Sequence, residues 1–342
     1  MREWIAERVA EGGVAADEAV LHYGDPKAEV VAASRDTVRC ALTDMALIRA
    51  RGPDAAAFLH GQLTNDVLTL GEDSRLAAYC TAQGRAIALF RVLRADPETL
   101  LLILPRALLA GVLKRLSLFV LRAKVTLEAA DDWRLLGVSG PDAPATLTAA
   151  GLPAPPANRV AAHGGVLVLG LPGPHARFVL AGPAEALMAH DRDFSALPWI
   201  GREAWGWMDI AAGLPTITPA TSEAFVPQML NLDLLGGIHF RKGCYPGQEI
   251  VARTHYLGRL KQRMYRASLA DGVPAPTPGA TLSAPNLPGQ PAGTVVSAHL
   301  GPQGWVEMLA VVQIASHDQG GVRLGDDPLT FQDLPYPLAA SC

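Results

Sequence analysis

The sequence predicts an α+β protein with more than one domain, and three observations support this. The chain has 342 residues, which exceeds the usual limit for a single hydrophobic core. Its first predicted elements follow the order strand, helix, three strands, helix, without the regular alternation of a doubly wound sheet. From Ser268 onward, glycine and proline separate short apolar strands, which predicts a C-terminal all-β module, a small barrel.

The first 36 residues form an appended segment, with a short amphipathic helix predicted at Glu3–Val9. After it, Asp54 opens an apolar helical run that extends to Leu63. A second helix contains leucines and valine at helical spacing and ends near Leu116. The predicted strands of this unit are Thr43–Arg51, Ala77–Cys80, Ala86–Leu93 and Leu100–Leu104.

A second α+β unit begins at Trp133, after which strands and helices again follow one another in a mixed order. Its predicted elements are the strands Trp133–Gly140, Val166–Leu171 and Arg177–Ala181, a helix that starts near Ala143, and the helix Glu185–His190. The C-terminal module contains the predicted strands Gly293–Ala298 and Met308–Ile314.

The charge composition limits the classes of partner that the chain is expected to bind. The net charge is −4, so the whole chain does not have the basic balance of a nucleic-acid or anionic-membrane binder. Basic and aromatic residues alternate between Arg253 and Arg266, but this local pattern is better explained by a strand with a solvated basic face, so a nucleic-acid partner is not expected.

The cysteines indicate a reducing compartment. Cys40, Cys80, Cys244 and Cys342 form no CxxC pair, and no metal site is predicted. The N-terminus has no apolar signal region, and no stretch approaches the ~20 apolar residues of a spanning helix. We therefore expect a cytoplasmic protein without a membrane partner.

Cys244 is the strongest candidate for chemistry. A free cysteine is most often a small buried hydrophobe. Here Arg241, Lys242 and Arg253 lie close in sequence, and nearby cations favour the thiolate, which is the nucleophilic and metal-binding form. Gly243 and Gly247 permit the backbone angles of a tight loop that presents a side chain to solvent. The pattern favours a functional thiol.

Three stretches carry a resemblance to a known family. Residues 209–215 and 225–228 lead into residues 236–253, which read GGIHFRKGCYPGQEIVAR. Residues 51–67 contain the run HGQLTND, and the chain ends with Leu334-Pro335-Tyr336-Pro337-Leu338 before its last residues. This sequence resembles the YgfZ family of the glycine-cleavage T-protein superfamily, from about Thr37 to the C-terminus.

The resemblance implies a fold and a function. The fold is a three-domain, aminomethyltransferase-like cloverleaf, with two ferredoxin-like α+β units and a C-terminal β-barrel around a central channel. The implied segments are an extension at 1–36, a folate-binding domain at 37–130 and 199–262, a second α+β domain at 131–198, and the barrel at 263–342. The implied function is a tetrahydrofolate-binding accessory protein that supports assembly or repair of iron–sulfur enzymes, with those client or assembly proteins as partners.

The resemblance also implies site residues, each with a structural alternative. The reactive loop contains Cys244 with Lys242, Gly243, Tyr245, Gly247, Gln248, Glu249 and Arg253. The polar pair Gln248 and Glu249 either orients this loop or simply caps the next element, and Lys242 and Arg253 are either solvated charges or contacts for an anion such as the glutamate tail of a folate.

For the pterin ring, Trp205 supplies a stacking face unless it only packs the core. Met45 can cover the ring with a polarisable side chain, although the family places an aromatic residue there. Asp44 can accept hydrogen bonds from a pterin amine, or can cap its strand.

One departure bears on catalysis. Related aminomethyltransferases carry an aspartate on the strand that follows the first turn, and Ala88 occupies that place here. An alkyl group can neither accept a proton nor stabilise a developing cation. The alternative function, a folate-dependent aminomethyl or one-carbon transferase, is therefore disfavoured, and an enzyme is not the leading hypothesis.

Overall fold

The computed structural model describes residues 2–256, 258 and 260–338. The structure contains helices where the sequence predicted them and additional helices that the sequence did not predict. Within the described residues, the α-helices are α1 Arg2–Ala10, α2 Pro26–Arg35, α3 Ala55–His60, α4 Arg106–Ser117, α5 Ala143–Ala149, α6 Ala184–Asp191, α7 Arg202–Ala211, α8 Gln248–Tyr256 and α9 Ile314–Gln319, with one 3₁₀ turn at Pro227–Leu230.

The first twelve strands precede α6 and include every strand predicted for the two α+β units. They are β1 Val14–Ala16, β2 Ala19–His22, β3 Val38–Ala41, β4 Met45–Arg51, β5 Arg75–Cys80, β6 Ala86–Asp96, β7 Thr99–Pro105, β8 Thr126–Ala129, β9 Trp133–Ser139, β10 Val160–His163, β11 Val166–Leu171 and β12 Arg177–Pro183. The remaining strands are β13 Trp199–Ile200, β14 Gln262–Ser268, β15 Thr281–Leu282, β16 Gly293–Leu300, β17 Val306–Gln313, β18 Arg323–Leu324, β19 Asp327–Pro328 and β20 Thr330–Gln332.

The described chain divides into two compact units. Unit 1 contains residues 2–58, 67–75 and 91–208, and unit 2 contains residues 59–66, 76–90 and 209–338 apart from the two positions not described. Each unit thus combines segments from distant parts of the sequence. Among the described residues, no helix is both long and apolar enough to cross a bilayer.

Unit 1 is built on two sheets. One has the strand order β10–β11–β12–β9–β3–β13, in which β13 is parallel to β3 and the other pairs are antiparallel. The other contains the end of β6, then β7, β4 and β8. Helix α4 packs against β4 and β8, and buries Leu108, Val112 and Leu116, which recur every four residues and so share one face. The predicted helical spacing here is confirmed.

The N-terminal segment packs into unit 1. The Glu29 carboxylate accepts hydrogen bonds from the backbone amides of Tyr23 and Gly201, at 2.5 and 2.8 Å. A side chain at Gly201 would meet the Leu21 carbonyl oxygen at 2.1 Å, so only glycine permits this approach. Because Gly201 directly precedes α7, residues 1–36 help to fix the start of that helix.

Unit 2 contains a five-stranded antiparallel sheet with the order β15–β16–β17–β14–β20. Alternate residues of β17, namely Met308, Ala310 and Val312, enter the core of this sheet, as the period of a strand requires. The two strands predicted in the C-terminal module are confirmed as β16 and β17. The interpretation of residues 253–266 as one strand is wrong, because α8 continues to Tyr256 and β14 begins only at Gln262.

The tail motif has a structural role in unit 2. The Tyr336 hydroxyl donates a hydrogen bond to the Gly213 carbonyl oxygen at 2.8 Å. Gly213 has φ +66°, and a Cβ there would meet the Tyr336 ring at 2.7 Å. The ring therefore lies directly against the backbone at Gly213. This contact joins residues 209–215 to the tail motif, and both stretches carry the family resemblance.

Candidate functional site

Cys244 lies on an exposed loop of unit 2, between the turn at residues 231–236 and helix α8. Exposure changes sharply along this loop: Gly243 and Cys244 are exposed, whereas Lys242 before them and Tyr245 after them are buried. Cys40 and Cys80 are buried, and Cys342 lies outside the described residues. Of the three described thiols, only that of Cys244 is open to a reagent or partner.

The buried side chain of Lys242 connects the loop to the backbone of residues 60–63. Its side chain is only 9% exposed, and its ammonium donates to the carbonyl oxygen of Leu63 at 2.6 Å and to that of His60. Burial lowers the pKa of Lys242 to about 8, and the negative charges of Asp66 and of a Cys244 thiolate act against this shift. The lysine therefore points into unit 2, away from any anion in solvent.

The HGQLTND run holds the segment that precedes the loop. The Thr64 hydroxyl donates to the Gly237 carbonyl oxygen at 2.7 Å, and the Thr64 carbonyl accepts from the His239 amide at 2.9 Å. The Asn65 amide group donates to the carbonyl oxygens of Leu76 and Gly236, at 2.7 and 2.6 Å. Both side chains are buried, so these bonds form where water does not compete. Two of the motifs in the sequence thus form one structural element.

Two glycines hold the far end of the loop against a turn. Gly247 has φ +80°, and a Cβ on it would meet the Thr81 carbonyl oxygen at 2.4 Å and the Gly84 Cα at 2.6 Å. Gly84, in the turn between β5 and β6, has φ +71°, and a Cβ there would meet Ile250 at 3.0 Å. The close approach of these two backbones leaves no room for side chains. It places the start of α8 on the β5–β6 turn.

The remaining motif residues complete the loop. The Tyr245 ring lies 4.8 Å from the Lys242 ammonium, and burial raises the tyrosine pKa. Burial likewise raises the pKa of Cys80 to about 12, so this second thiol stays protonated. Gln248 begins α8 and donates to the Lys242 carbonyl oxygen at 3.3 Å, which favours its role in loop orientation. Glu249 and Arg253 are exposed on α8.

Sequence reasoning missed three residues that position this loop. Thr64 and Asn65 lie in the HGQLTND run, but their partners Gly237 and Gly236 are more than 170 residues away in the sequence. Gln228 is buried, and its amide donates to the Val251 carbonyl oxygen of α8 at 2.6 Å. All three are polar residues within motifs, which could have marked them as structurally important, but the sequence does not indicate which backbone groups they bind.

The folate-site candidates lie in unit 1. Trp205, on α7, is 7% exposed. A Cβ at Gly137 would overlap its six-membered ring at 2.4 Å, and the Arg177 guanidinium lies 4.3 Å from the ring centroid. The indole is thus packed between a strand backbone and a buried cation, which is the arrangement of a core tryptophan that also has a cation–π partner.

Met45 and Asp44 lie at the start of β4. Arg106 donates to the carbonyl oxygens of Thr43 and Met45, at 2.9 and 2.8 Å, and its backbone amide donates to the Asp44 carbonyl oxygen. Burial lowers the pKa of Arg106, and the charges of Glu18, Asp131 and Asp44 oppose this. Met45 lines a recess of about 10 Å³, which holds one water molecule at most.

Strand β9 lies beside two of these candidates, Met45 and Trp205. Trp133 and Leu135 line the Met45 recess, and Gly137 contacts Trp205. Residues at alternate positions of a strand share a face, so the recess and the indole lie along the same row of β9. Among the described residues, no group of three or more His, Cys, Asp or Glu side chains could hold a metal ion.

The glycine contacts generate a matched pair of substitutions. Gly247→Ala should lower the free energy of unfolding by about 1–3 kcal/mol from its positive φ alone, and further because the new methyl group meets backbone atoms of Thr81 and Gly84. Gly243→Ala, with nothing within 4 Å of the new Cβ, should change it by less than about 0.5 kcal/mol. Urea unfolding followed by circular dichroism measures both, and equal stabilities would contradict the packing described.

The buried lysine generates a pH dependence. The folded pKa of about 8 lies below the ordinary value of 10.5, so between these pH values the unfolded chain binds more protons than the folded chain. The free energy of unfolding of the wild type should therefore rise with pH across this window relative to Lys242→Met. Lys261→Met, which removes an exposed lysine of unit 2, is the matched control substitution. A Lys242→Met curve parallel to the wild type would show that this ammonium titrates normally.

Comparisons with known proteins identify relatives of this chain. No protein-family model matches the chain. The tRNA-modifying protein YgfZ of Klebsiella pneumoniae (strain 342) is 35% identical over 304 residues, which span 87% of this chain and 92% of that protein. The YgfZ protein of Yersinia pestis (strain Pestoides F) is 34% identical over 311 residues, with the same coverage of 87% and 92%.

The fold has a solved counterpart. The glycine cleavage system aminomethyltransferase T from Bartonella henselae superimposes with a TM-score of 0.76 at 19% identity, and the match covers 97% of this chain and 96% of that one. This confirms the predicted α+β fold of the aminomethyltransferase type. Because relatives more than 30% identical align over most of both chains, the chain belongs to the YgfZ family.

Proposed function

We propose that this protein binds tetrahydrofolate and supports the assembly or repair of iron–sulfur enzymes through Cys244. The observation that carries the proposal is the contrast within the loop, where one exposed thiol lies between buried anchors. A thiol whose only use was core packing would be buried like Cys40 and Cys80. The anchors at Lys242 and Gly247 hold the Cys244 backbone in place while its side chain remains accessible.

A thiol in this position can contact iron or a client protein. The thiolate is the form that ligates iron and iron–sulfur clusters. The reducing, cytoplasmic compartment indicated by the sparse cysteines would keep Cys244 free of disulfides. The relatives are named tRNA-modifying proteins, and we propose that this chain supports tRNA modification through iron–sulfur client enzymes instead of through contact with RNA.

The folate part of the proposal rests on Met45 and Trp205, which lie along β9, and on Asp44, which precedes Met45 in the sequence. Trp205 offers an aromatic ring, Met45 an apolar polarisable side chain, and Asp44 a hydrogen-bond acceptor. The recess at Met45 is too small for a pterin, so binding in unit 1 requires Met45 or Trp205 to change rotamer. The proposal therefore predicts a local rearrangement when tetrahydrofolate binds.

The alternative, a folate-dependent aminomethyl or one-carbon transferase, receives less support. Ala88 lies fully buried on β6, where the related transferases carry their aspartate. The neighbouring backbone is held by segment 222–225, because the Ala86 amide donates to the Phe225 carbonyl and the Ser222 hydroxyl donates to the Ile87 carbonyl. A buried methyl group in this setting cannot supply acid–base chemistry.

The thiol proposal is tested by replacement in cells. Cys244→Ala should fail to restore iron–sulfur enzyme activity to cells that lack the protein, most visibly under oxidative stress, although the purified variant still binds tetrahydrofolate. Cys40→Ala, which removes a buried thiol of unit 1, should restore activity. Brief iodoacetamide treatment of the wild type followed by peptide mapping should label Cys244 before Cys40 and Cys80. Full rescue by Cys244→Ala would remove the thiol from the proposal.

The folate proposal is tested on α7, where two buried tryptophans provide a matched comparison. Trp205→Leu removes the aromatic face but keeps an apolar side chain, and should weaken tetrahydrofolate binding roughly tenfold or more, since one aromatic–base stack is worth about 1–3 kcal/mol. Trp207→Leu should leave the affinity unchanged. Calorimetric titration measures both variants, and equal affinities would place the pterin elsewhere.

A further inference from the structure

The exposed side of α8 carries an aromatic cluster beside the Cys244 loop. Phe240 and His255 stack with ring centroids 3.7 Å apart, and Tyr256 contacts both rings edge-on at 6.2 and 4.7 Å. Tyr256 is nonetheless 62% exposed, and Ile250, one turn from Arg253, is 38% exposed. Single large apolar side chains on a surface are common, whereas exposed apolar side chains that lie together are a feature of interaction sites. We call Phe240, Ile250, Arg253, His255 and Tyr256, together with Arg241, the α8 surface.

Two cations, Arg241 and Arg253, belong to the α8 surface. Arg241 and Arg253 are both exposed, and neither forms an ion pair with any residue between 2 and 256, at 258 or between 260 and 338. Arg253 and Tyr256 lie three residues apart on α8, so they share one face of the helix. Arginine and tyrosine are among the residue types that are enriched where the binding energy of protein interfaces is concentrated.

The chemistry favours an acidic protein over a nucleic acid. Two arginines are few for a phosphate backbone, which proteins usually neutralise with several contacts. One face of the Phe240 ring is already covered by His255, which reduces the stacking area that a base could use. Exposed Ile250 adds an aliphatic contact that suits a protein partner.

We propose that the α8 surface docks an acidic segment of a partner protein and holds it beside Cys244. The proposal rests on the proposed function, in which Cys244 contacts a client or assembly protein. Cys244 follows Arg241 by three residues and precedes Gln248, the first residue of α8, by four, so both arginines lie within ten residues of the thiol along the chain. Carboxylates of the partner would pair with Arg241 and Arg253, and its apolar side chains would pack on Tyr256 and Ile250.

The test uses a glutamate–tyrosine random copolymer as an acidic, aromatic peptide probe, with a single-stranded oligouridylate as the competing chemistry. The wild-type full chain should bind the copolymer at physiological ionic strength, and should bind the oligouridylate more weakly. Tyr256→Ser and Arg253→Glu should each weaken copolymer binding at least tenfold. The controls Leu121→Ser and Arg323→Glu, which alter an exposed leucine and an exposed arginine elsewhere, should bind as the wild type does.

Copolymer binding that survives Tyr256→Ser and Arg253→Glu would overturn the docking proposal. Tighter binding of oligouridylate, lost in the same two variants, would also overturn it in favour of a nucleic acid. In cells, Tyr256→Ser should restore iron–sulfur enzyme activity poorly, although its tetrahydrofolate affinity and its rate of Cys244 alkylation remain those of the wild type. Because the copolymer measurement involves neither folate nor thiol chemistry, its failure would leave the proposed function standing.

Discussion

The Lys242 ammonium, bound to the backbone carbonyls of His60 and Leu63, is the interaction on which the Cys244 loop depends. It joins two segments that are 179 residues or more apart in sequence. A buried ammonium is costly unless carbonyl dipoles compensate it, so the two acceptors and the lysine must be present together. With these two acceptors, Lys242 can be buried although Cys244, two residues later, is exposed.

The rest of the loop is held in the same way, by side chains of one motif that form hydrogen bonds with the backbone of another. Thr64 and Asn65 bind carbonyls of Gly236 and Gly237, and Gln228 binds one of α8. Hydrogen bonds to backbone atoms constrain where the chain runs without constraining the side chains at those positions. Cys244 can therefore remain exposed on a backbone that is fixed on both sides.

The two candidate sites differ in their readiness for a ligand. The thiol of Cys244 is exposed as the structure stands. In unit 1, Trp205 lies between Gly137 and Arg177, and the recess beside Met45 has room for a water molecule only. A pterin would have to displace side chains there, whereas a protein partner at the loop would meet a surface already formed.

The sequence by itself determined the α+β class, the C-terminal β module and the family, because periodicity and an uninterrupted motif are local properties of the chain. It also singled out Cys244 as the cysteine with a distinct setting. Only the tertiary structure decided that Lys242 points inward, that Trp205 is packed by Arg177, and that residues 1–36 contact the start of α7 through Glu29. These outcomes depend on hydrogen bonds and contacts between residues far apart in sequence, and no local pattern specifies which carbonyl or ring a side chain will meet.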